Sequence, residues 1–319
     1  MLPFVLELRS TDGEPGDRVF LATTHDGHLV EFSETWSVPH LGTPGWMVSV
    51  SPSLGCPVGC VFCDGGAWYK GKLDAAEILA QIDHVVALAG NEPDPAQPLW
   101  IEFSKVGEPS FNPAVLEVLC QLPRRYPGRA ISPCLSTVAP QRTEAFFEEL
   151  LAVRHCVFGP DGFQLRLSLH ATDERLRHEL IPIKLWSFEK IAAFGRRFCR
   201  PGDRKVALRF AASPSIPLDV GRLLGTFSPE VFSIELTPMN PTQTARAHGL
   251  TSAVTADDLA GSFQQVDAFR SAGFDVTVCF GAPEADALGA SCGMSLTARL
   301  DTPLPPRRRR THAAPAAPR

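Results

Sequence analysis

The chain has 319 residues, 44% hydrophobic and 20% charged, with nine cysteines and a formal net charge of −5, values ordinary for a folded protein with a sizeable core. No apolar run reaches the roughly eighteen residues of a membrane helix. The N-terminal stretch "MLPFVLELRSTDGEPGD" lacks the basic start and long apolar centre of a secretory leader, so the cytoplasm is the expected compartment. Clustered cysteines in a reduced compartment point to a metal rather than to a disulfide framework.

The charge is unevenly spread. Residues 298–319 hold six arginines and one aspartate, +5, which leaves −10 on the preceding 297 residues. An acidic body argues against broad nucleic-acid affinity for the folded part. The tail "PLPPRRRRTHAAPAAPR" is poor in bulky apolar residues, so disorder is expected over 298–319. Its Arg307–Arg310 run suits RNA or another acidic partner, or serves solubility alone.

In chain order, "RVFLATT" (18–24) and "HLVEFSETW" (28–36) read as strands, and Asp26-Gly27 between them is a hairpin signal, since both central residues of such a turn need positive φ. After Pro44 strand-like runs alternate with helix-like ones. The strands are "GWMVSVS", "LWIEFSK", "AISPCLSTV", "QLRLSLHA", "KVALRFAAS", "FSIELTPM" and "DVTVCF". Stretches such as "AAEILAQIDHVVALA", "EAFFEELLAVR", "SFEKIAAFGRRF" and "DLAGSFQQVDAFRSAG" place apolar residues at three- and four-residue spacing. Repeated βα units predict a parallel sheet flanked by helices, closed or partly closed into a barrel. The expected organisation is a β-hairpin extension over 1–44, a core barrel over 45–297 and a tail over 298–319.

Polar, unusual residues fall at the carboxyl ends of these strands: "VGEP" after the second, "LST" at the third, "SLH" at the fourth and "MNP" after the sixth. That is the reactive face of a βα barrel. After the first strand comes "GCPVGCVFCDGG", with Cys56, Cys60 and Cys63. Three thiolates at this spacing can hold one face of an iron–sulfur cubane and leave an iron open for a ligand. Structural zinc, the competing reading, wants four protein ligands in paired spacings, and no second pair of that kind follows.

"CPVGCVFC" resembles the CxxxCxxC loop of the radical S-adenosylmethionine (SAM) superfamily, including the aromatic residue before its last cysteine. The resemblance implies a partial (β/α)6 TIM-like barrel, an α/β fold, and a [4Fe-4S] cluster on Cys56, Cys60 and Cys63 whose open iron chelates SAM. Reduction of the cluster, by a donor such as flavodoxin or ferredoxin, then cleaves SAM to a 5′-deoxyadenosyl radical. Further segments are similar to the RlmN/Cfr family of RNA methyltransferases. "VGEPSFN", "LSTVAP", "LSLHATDERLRHELIPI" and "TPMNP" match its SAM-contacting segments, implying cofactor roles for Gly107, Glu108, Ser136, Ser168, Leu169, His170 and Asn240. "GASCGMSL" is similar to the segment with the methyl-accepting cysteine, Cys292 here. In such enzymes one SAM methylates that cysteine, a second supplies the radical, and the resulting carbon radical adds to an sp² carbon. Glu34, in "ETWSVP", aligns weakly with the family's proposed proton acceptor; a hairpin glutamate is more often a solvated surface charge.

The resemblance covers about residues 28–296, most densely 45–80 and 164–183. Two departures stand against it. The family's resolving cysteine, seven residues before the first cluster ligand, is Ser49 here, and a serine cannot form the disulfide that releases the product. Cys134 and Cys279 are the substitute thiols to weigh, while Cys120, Cys156 and Cys199 read as packing residues. The N-terminal stretch also leaves no room for the helical RNA-binding domain that typically precedes the core. RNA adenosine is the substrate by resemblance; a small molecule or peptide fits the departures better. A radical SAM enzyme acting directly on a non-RNA substrate, without methyl transfer, is the alternative. A non-catalytic iron–sulfur or zinc protein binding through its tail is the third reading.

Overall fold

The structure is a computed structural model that describes residues 6–36, 45–90, 94, 97–253, 259–279 and 293–299. Three antiparallel strands open it: β1 (Leu6–Asp12), β2 (Asp17–Thr24) and β3 (Leu29–Thr35). The extension is therefore a three-stranded meander, not the expected hairpin. β1 carries few apolar residues, is mostly exposed and is interrupted by a bulge near Ser10, so no clean alternation marked it. The β2–β3 turn also differs from expectation. Thr24 N–H donates to His28 O at 2.8 Å, and only Gly27, at φ +79°, is left-handed. His25–Gly27 is thus a three-residue loop closed by a glycine, not a two-residue turn.

β3 pairs antiparallel with β4 (Trp46–Val50). A short ribbon of β5 (Ser53–Leu54) and β6 (Gly71–Lys72) brackets the cysteine loop. The chain then runs through α1 (Ala75–Ala89), β7 (Leu99–Phe103), α2 (Ala114–Arg125), β8 (Ile131–Thr137), α3 (Glu144–Val157) and β9 (Gln164–Ser168). It continues through α4 (Glu174–Leu180), α5 (Phe188–Phe198), β10 (Val206–Ala212), α6 (Val220–Leu224), β11 (Phe232–Pro238), α7 (Gln243–Ala247), α8 (Leu259–Ser271), β12 (Val276–Val278) and α9 (Met294–Arg299).

One ten-stranded sheet results, in the order β1-β2-β3-β4-β7-β8-β9-β10-β11-β12. From β4 to β12 every pairing is parallel, as strands joined by helical crossovers require. Among the described residues the ladder stays open between β1 and β12. The fold is mixed α/β with a large, mostly parallel sheet.

Local chemistry explains the helix boundaries. Asp74 caps α1 by accepting Glu77 N–H at 2.8 Å while Glu77 accepts Asp74 N–H at 3.0 Å, a reciprocal capping box. Ile78, Ile82 and Val85 then turn one stripe of α1 into the core. Asp173 and Ser187 cap α4 and α5. α3, α5 and β9–β11 share a phenylalanine-rich core in which Phe194, Phe198, Phe227 and Phe232 are buried. With the strands fixed from behind, their carboxyl ends present the loops.

Candidate active site

The loops at the carboxyl ends of β4, β7, β8, β9 and β11 meet around one cavity of about 310 Å³. Cys56, Cys60, Cys63, Gly107, Glu108, Ser136, Ser168, His170 and Asn240 all line it. These residues are spread over 185 positions of sequence, and the shared cavity is what the sheet does for them.

The cysteine loop is folded by its own backbone. Gly55, at φ +74°, stands so close to Trp68 that a Cβ there would lie 2.6 Å from its carbonyl oxygen. Cys56 N–H donates to Gly65 O at 2.7 Å, Cys63 N–H to Cys60 O at 3.2 Å, and Val61 N–H to Leu180 O at 3.0 Å. A Cβ built on Gly65 would meet Cys63 Sγ at 3.5 Å and Cys56 Cβ at 3.9 Å, so two of the cysteines face the same glycine. Among the described residues no three His, Cys, Asp or Glu side chains converge tightly enough for a single metal ion. Cys56, Cys60 and Cys63 line the same cavity, and three thiolates can each hold one iron of a cubane.

Gly107 has φ +133°, and a Cβ there would strike Ser53 Oγ at 2.2 Å, so only glycine fits. Glu108 is buried. Its Oε1 accepts from Ser110 N–H (3.0 Å), Ser110 Oγ (2.6 Å) and Thr137 Oγ1 (2.5 Å), and its Oε2 from Val138 N–H (2.9 Å). Burial pushes the carboxyl up, against the pull of those four donors. Glu108 thereby ties the "GEP" loop to the end of β8, where Ser136 sits. Ser136 Oγ is buried without a hydrogen-bond partner among the described residues and lines the cavity. A buried hydroxyl left open is costly unless a ligand completes it.

His170 adopts a left-handed backbone at φ +59°, which swings its ring onto the cavity. Nδ1 accepts Ala211 N–H at 3.0 Å, so the proton of the neutral ring is on Nε2. Burial, then Arg209 and Arg177, push its pKa down to about 3. The ring packs on Phe62 of the cysteine loop, centroids 4.7 Å apart. Leu169 behaves differently from its neighbours: it is fully buried in the main core and is not a lining residue. Its N–H bonds Arg209 O at 3.0 Å.

Glu34 is buried too, not solvated. Arg18 Nε lies 2.7 Å from its Oε1, and Trp46 Nε1 donates to its Oε2 at 3.3 Å. It is not a lining residue. Cys292 and Arg307–Arg310 lie outside the described residues. Gly293, the next residue after Cys292, packs on Gly65 of the cysteine loop, its ideal Cβ 3.1 Å from Gly65 Cα.

Ser49 donates to Glu102 Oε2 at 3.1 Å and belongs to a buried polar network. Arg166 Nε meets Glu235 Oε2 at 2.8 Å, Arg166 Nη1 meets Glu102 Oε1 at 2.5 Å, and Arg209 Nε donates to Glu235 Oε1 at 2.6 Å. Of the two thiols weighed as substitutes, Cys279 lines the cavity and Cys134 does not. Burial pushes Cys134 up to about 12 and Cys279 well above the ordinary thiol range, which keeps both thiols protonated.

Sequence reading missed Lys105, Thr137 and Arg209, which also line the cavity. Arg209 was visible as one charge inside the apolar strand "VALRFAA", and Thr137 as the neighbour of Ser136.

No protein-family model matches the chain. It is 28% identical over 223 residues to the dual-specificity RNA methyltransferase RlmN of Sulfurovum sp. (strain NBC37-1), a match covering 66% of this chain and 59% of that protein. It is 27% identical over 287 residues to the RlmN of Nautilia profundicola, covering 83% and 77%. A crystal structure of a radical SAM methyltransferase from Sphaerobacter thermophilus superimposes with a TM-score of 0.72 at 21% identity, covering 92% of this chain and 82% of that one. The chain resembles the RlmN/Cfr family. It shares the fold of the Sphaerobacter protein, and it spans 59% and 53% of the length of the Sulfurovum RlmN and that of Helicobacter hepaticus.

Proposed function

We propose that the chain is a radical SAM methyltransferase of the RlmN/Cfr type. It holds a [4Fe-4S] cluster on Cys56, Cys60 and Cys63, binds SAM against Gly107, Glu108, Ser136, Ser168, His170 and Asn240, and carries a methyl group on Cys292. The observation that carries this reading is the convergence of these segments on one cavity with a buried, open hydroxyl at Ser136. The proposed catalytic unit is 45–297; β1, β2 and β3 extend its sheet, and residues 298 and 299, expected in the basic tail, belong to α9.

When bound and reduced by a flavodoxin or ferredoxin, the cluster supplies the electron that splits SAM. The remaining work belongs to the chain. Gly107 lets backbone approach the ligand, because no side chain intervenes. Ser136 Oγ is placed to donate to a carboxylate, and the neutral His170 offers an Nε2–H donor that stays neutral across physiological pH. Phe62, Val138 and Met239 line the same cavity and keep water from a reactive species. Cys292, once its thiol proton has been lost, would attack the methyl carbon of SAM; the new Cys292 S–C bond forms as the sulfonium C–S bond breaks, giving an S-methyl thioether and S-adenosylhomocysteine as the leaving group. The 5′-deoxyadenosyl radical would take a hydrogen atom from that S-methyl group, and the carbon radical would add to an sp² carbon of the substrate. After proton loss, the Cys292 S–C bond would break as a second thiol forms a disulfide with Cys292 and one electron is shed to the cluster. That part is open to Cys279, which lines the cavity, and closed to Ser49. RNA adenosine is the first substrate to test, on the strength of the relatives' names; a small molecule or peptide is the second.

The direct-radical reading has one observation in its favour: Ser49 is committed to Glu102, where the family places a free thiol. The two readings differ in products. Reconstituted protein given SAM and a reductant should release S-adenosylhomocysteine and 5′-deoxyadenosine together. Release of 5′-deoxyadenosine alone would favour the direct radical, and release of neither would remove both.

A further inference from the structure

The cysteine loop and the segment after β11 lie about 180 residues apart and are joined through one carboxylate. Asp64 follows Cys63 and is 1% exposed. Its Oδ2 accepts Gln243 N–H at 3.1 Å; its Oδ1 accepts Thr244 N–H at 2.9 Å and the Thr244 hydroxyl at 2.7 Å. Gln243 and Thr244 open α7, whose cap residue Thr242 accepts Ala245 N–H at 2.9 Å. The Thr242 hydroxyl also donates to Phe62 O at 3.0 Å. The first three N–H groups of α7 are thus satisfied, two of them by a side chain from the cysteine loop. A carboxylate suits the place: it only accepts, and the amino end of a helix favours negative charge. No lysine or arginine pairs with Asp64 among the described residues, so the donors of α7 and Thr244 meet its charge.

Asn240 stands two residues before Thr242 in a tight turn, with Thr242 N–H on Asn240 O at 2.8 Å. The connection therefore runs from Cys63 through Asp64 to Thr242 and Thr244, and from there to Asn240. Both its ends line the cavity.

We infer that Asp64 is a positioning residue that sets the spacing between the cysteine loop and Asn240, and so governs affinity for a ligand that must touch both. This rests on the proposed function, in which that ligand is SAM. The inference makes cluster loading and SAM affinity separable. Without Asp64 the three cysteines keep their own loop bonds, Cys56 to Gly65 and Cys63 to Cys60. The turn that carries Asn240, by contrast, loses three of its hydrogen bonds to the loop and keeps the one from Thr242 to Phe62.

The test compares the parent with Asp64→Ala, Asp64→Asn, Thr242→Val, Asn240→Ala and the Asp64→Ala/Asn240→Ala double variant. Before any cluster is loaded, the Gln243 and Thr244 amides of Asp64→Ala should exchange hydrogen faster than in the parent. After anaerobic reconstitution, iron per chain should equal the parent's, while the Kd for SAM, read by equilibrium dialysis with the cluster left oxidised so that SAM stays intact, rises about tenfold, as for an outer residue that orients a ligand contact. Asp64→Asn keeps an acceptor toward Thr244 and should recover part of the loss; Thr242→Val should shift affinity in the same direction. The double variant should bind no more weakly than Asn240→Ala alone, because the two residues act through one contact. Parent-like affinity in Asp64→Ala, losses that simply add, or loss of iron with Asp64→Ala would each overturn the inference. If Asp64→Ala fails to fold, Thr242→Val decides: parent-like affinity there overturns the inference. A parent chain that binds no SAM fails before any variant is compared, and that result overturns the functional reading together with the inference.

Discussion

His170 shows how much a single residue can be made to do. Its left-handed backbone turns the ring onto the cavity, Ala211 N–H fixes its tautomer, and burial holds it neutral with a pKa of about 3 against an ordinary 6.5. Between those values the unfolded chain carries a proton on this ring and the native chain does not. Native stability therefore falls as pH drops through that window, by about 1.4 kcal/mol per pH unit from this group. His170→Gln should flatten that dependence. Urea midpoints measured from pH 7 to pH 4 should fall less steeply in the variant; the residual slope combines His84, His155 and the lowered carboxylates Glu144 and Asp173, which act in the same direction, with Glu77 and Glu108, whose raised values act against it. An unchanged slope would mean that the ring is charged in the native state.

Among the elements, α9 bears most directly on the proposed methyl-carrying step, because it follows Cys292. Leu296 N–H donates to Glu31 Oε2 at 3.1 Å, and Lys105 Nζ donates to Glu31 Oε1 at 3.1 Å. Glu31 is fully buried on β3. The N-terminal meander thus anchors the segment after Cys292 and, through Lys105, the cavity wall. Glu31→Ala takes the anion from a buried lysine and should cost about 3 kcal/mol, with faster hydrogen exchange at Leu296; unchanged exchange would show that α9 is held by other means. Little of this was legible in the sequence. Glu31 sits in an alternating strand that reads as an ordinary hairpin, and its partners lie 74 and 265 residues away. Asp64 was hidden for the same reason. What could be read were local signals: the three- and four-residue stripes of α1 and α5, and the polar groups ending apolar strands. β1 escaped because an exposed, bulged edge strand carries no alternation, and the β2–β3 turn was mistyped because one glycine fits two loop lengths.

For the whole molecule, the parallel sheet brings five short segments to one cavity and sets a charged network among its strands. Ser49 on β4, Glu102 on β7, Arg166 on β9, Arg209 on β10 and Glu235 on β11 link the strands whose ends carry the site. Such a network holds its geometry only if every member stays paired, which gives Ser49 a structural task where the RlmN/Cfr family has a reactive thiol. Whether methyl transfer survives that exchange is the central question, and Cys292 answers it directly. The measurement is mass spectrometry of the Cys292 peptide from protein produced anaerobically with iron and sulfide supplied. A methyl-carrying enzyme gives a peptide heavier by one methyl group on Cys292, and the modification is absent from Cys292→Ala. An unmodified Cys292 in protein that still cleaves SAM to 5′-deoxyadenosine would contradict the methyltransferase account and leave a direct radical enzyme.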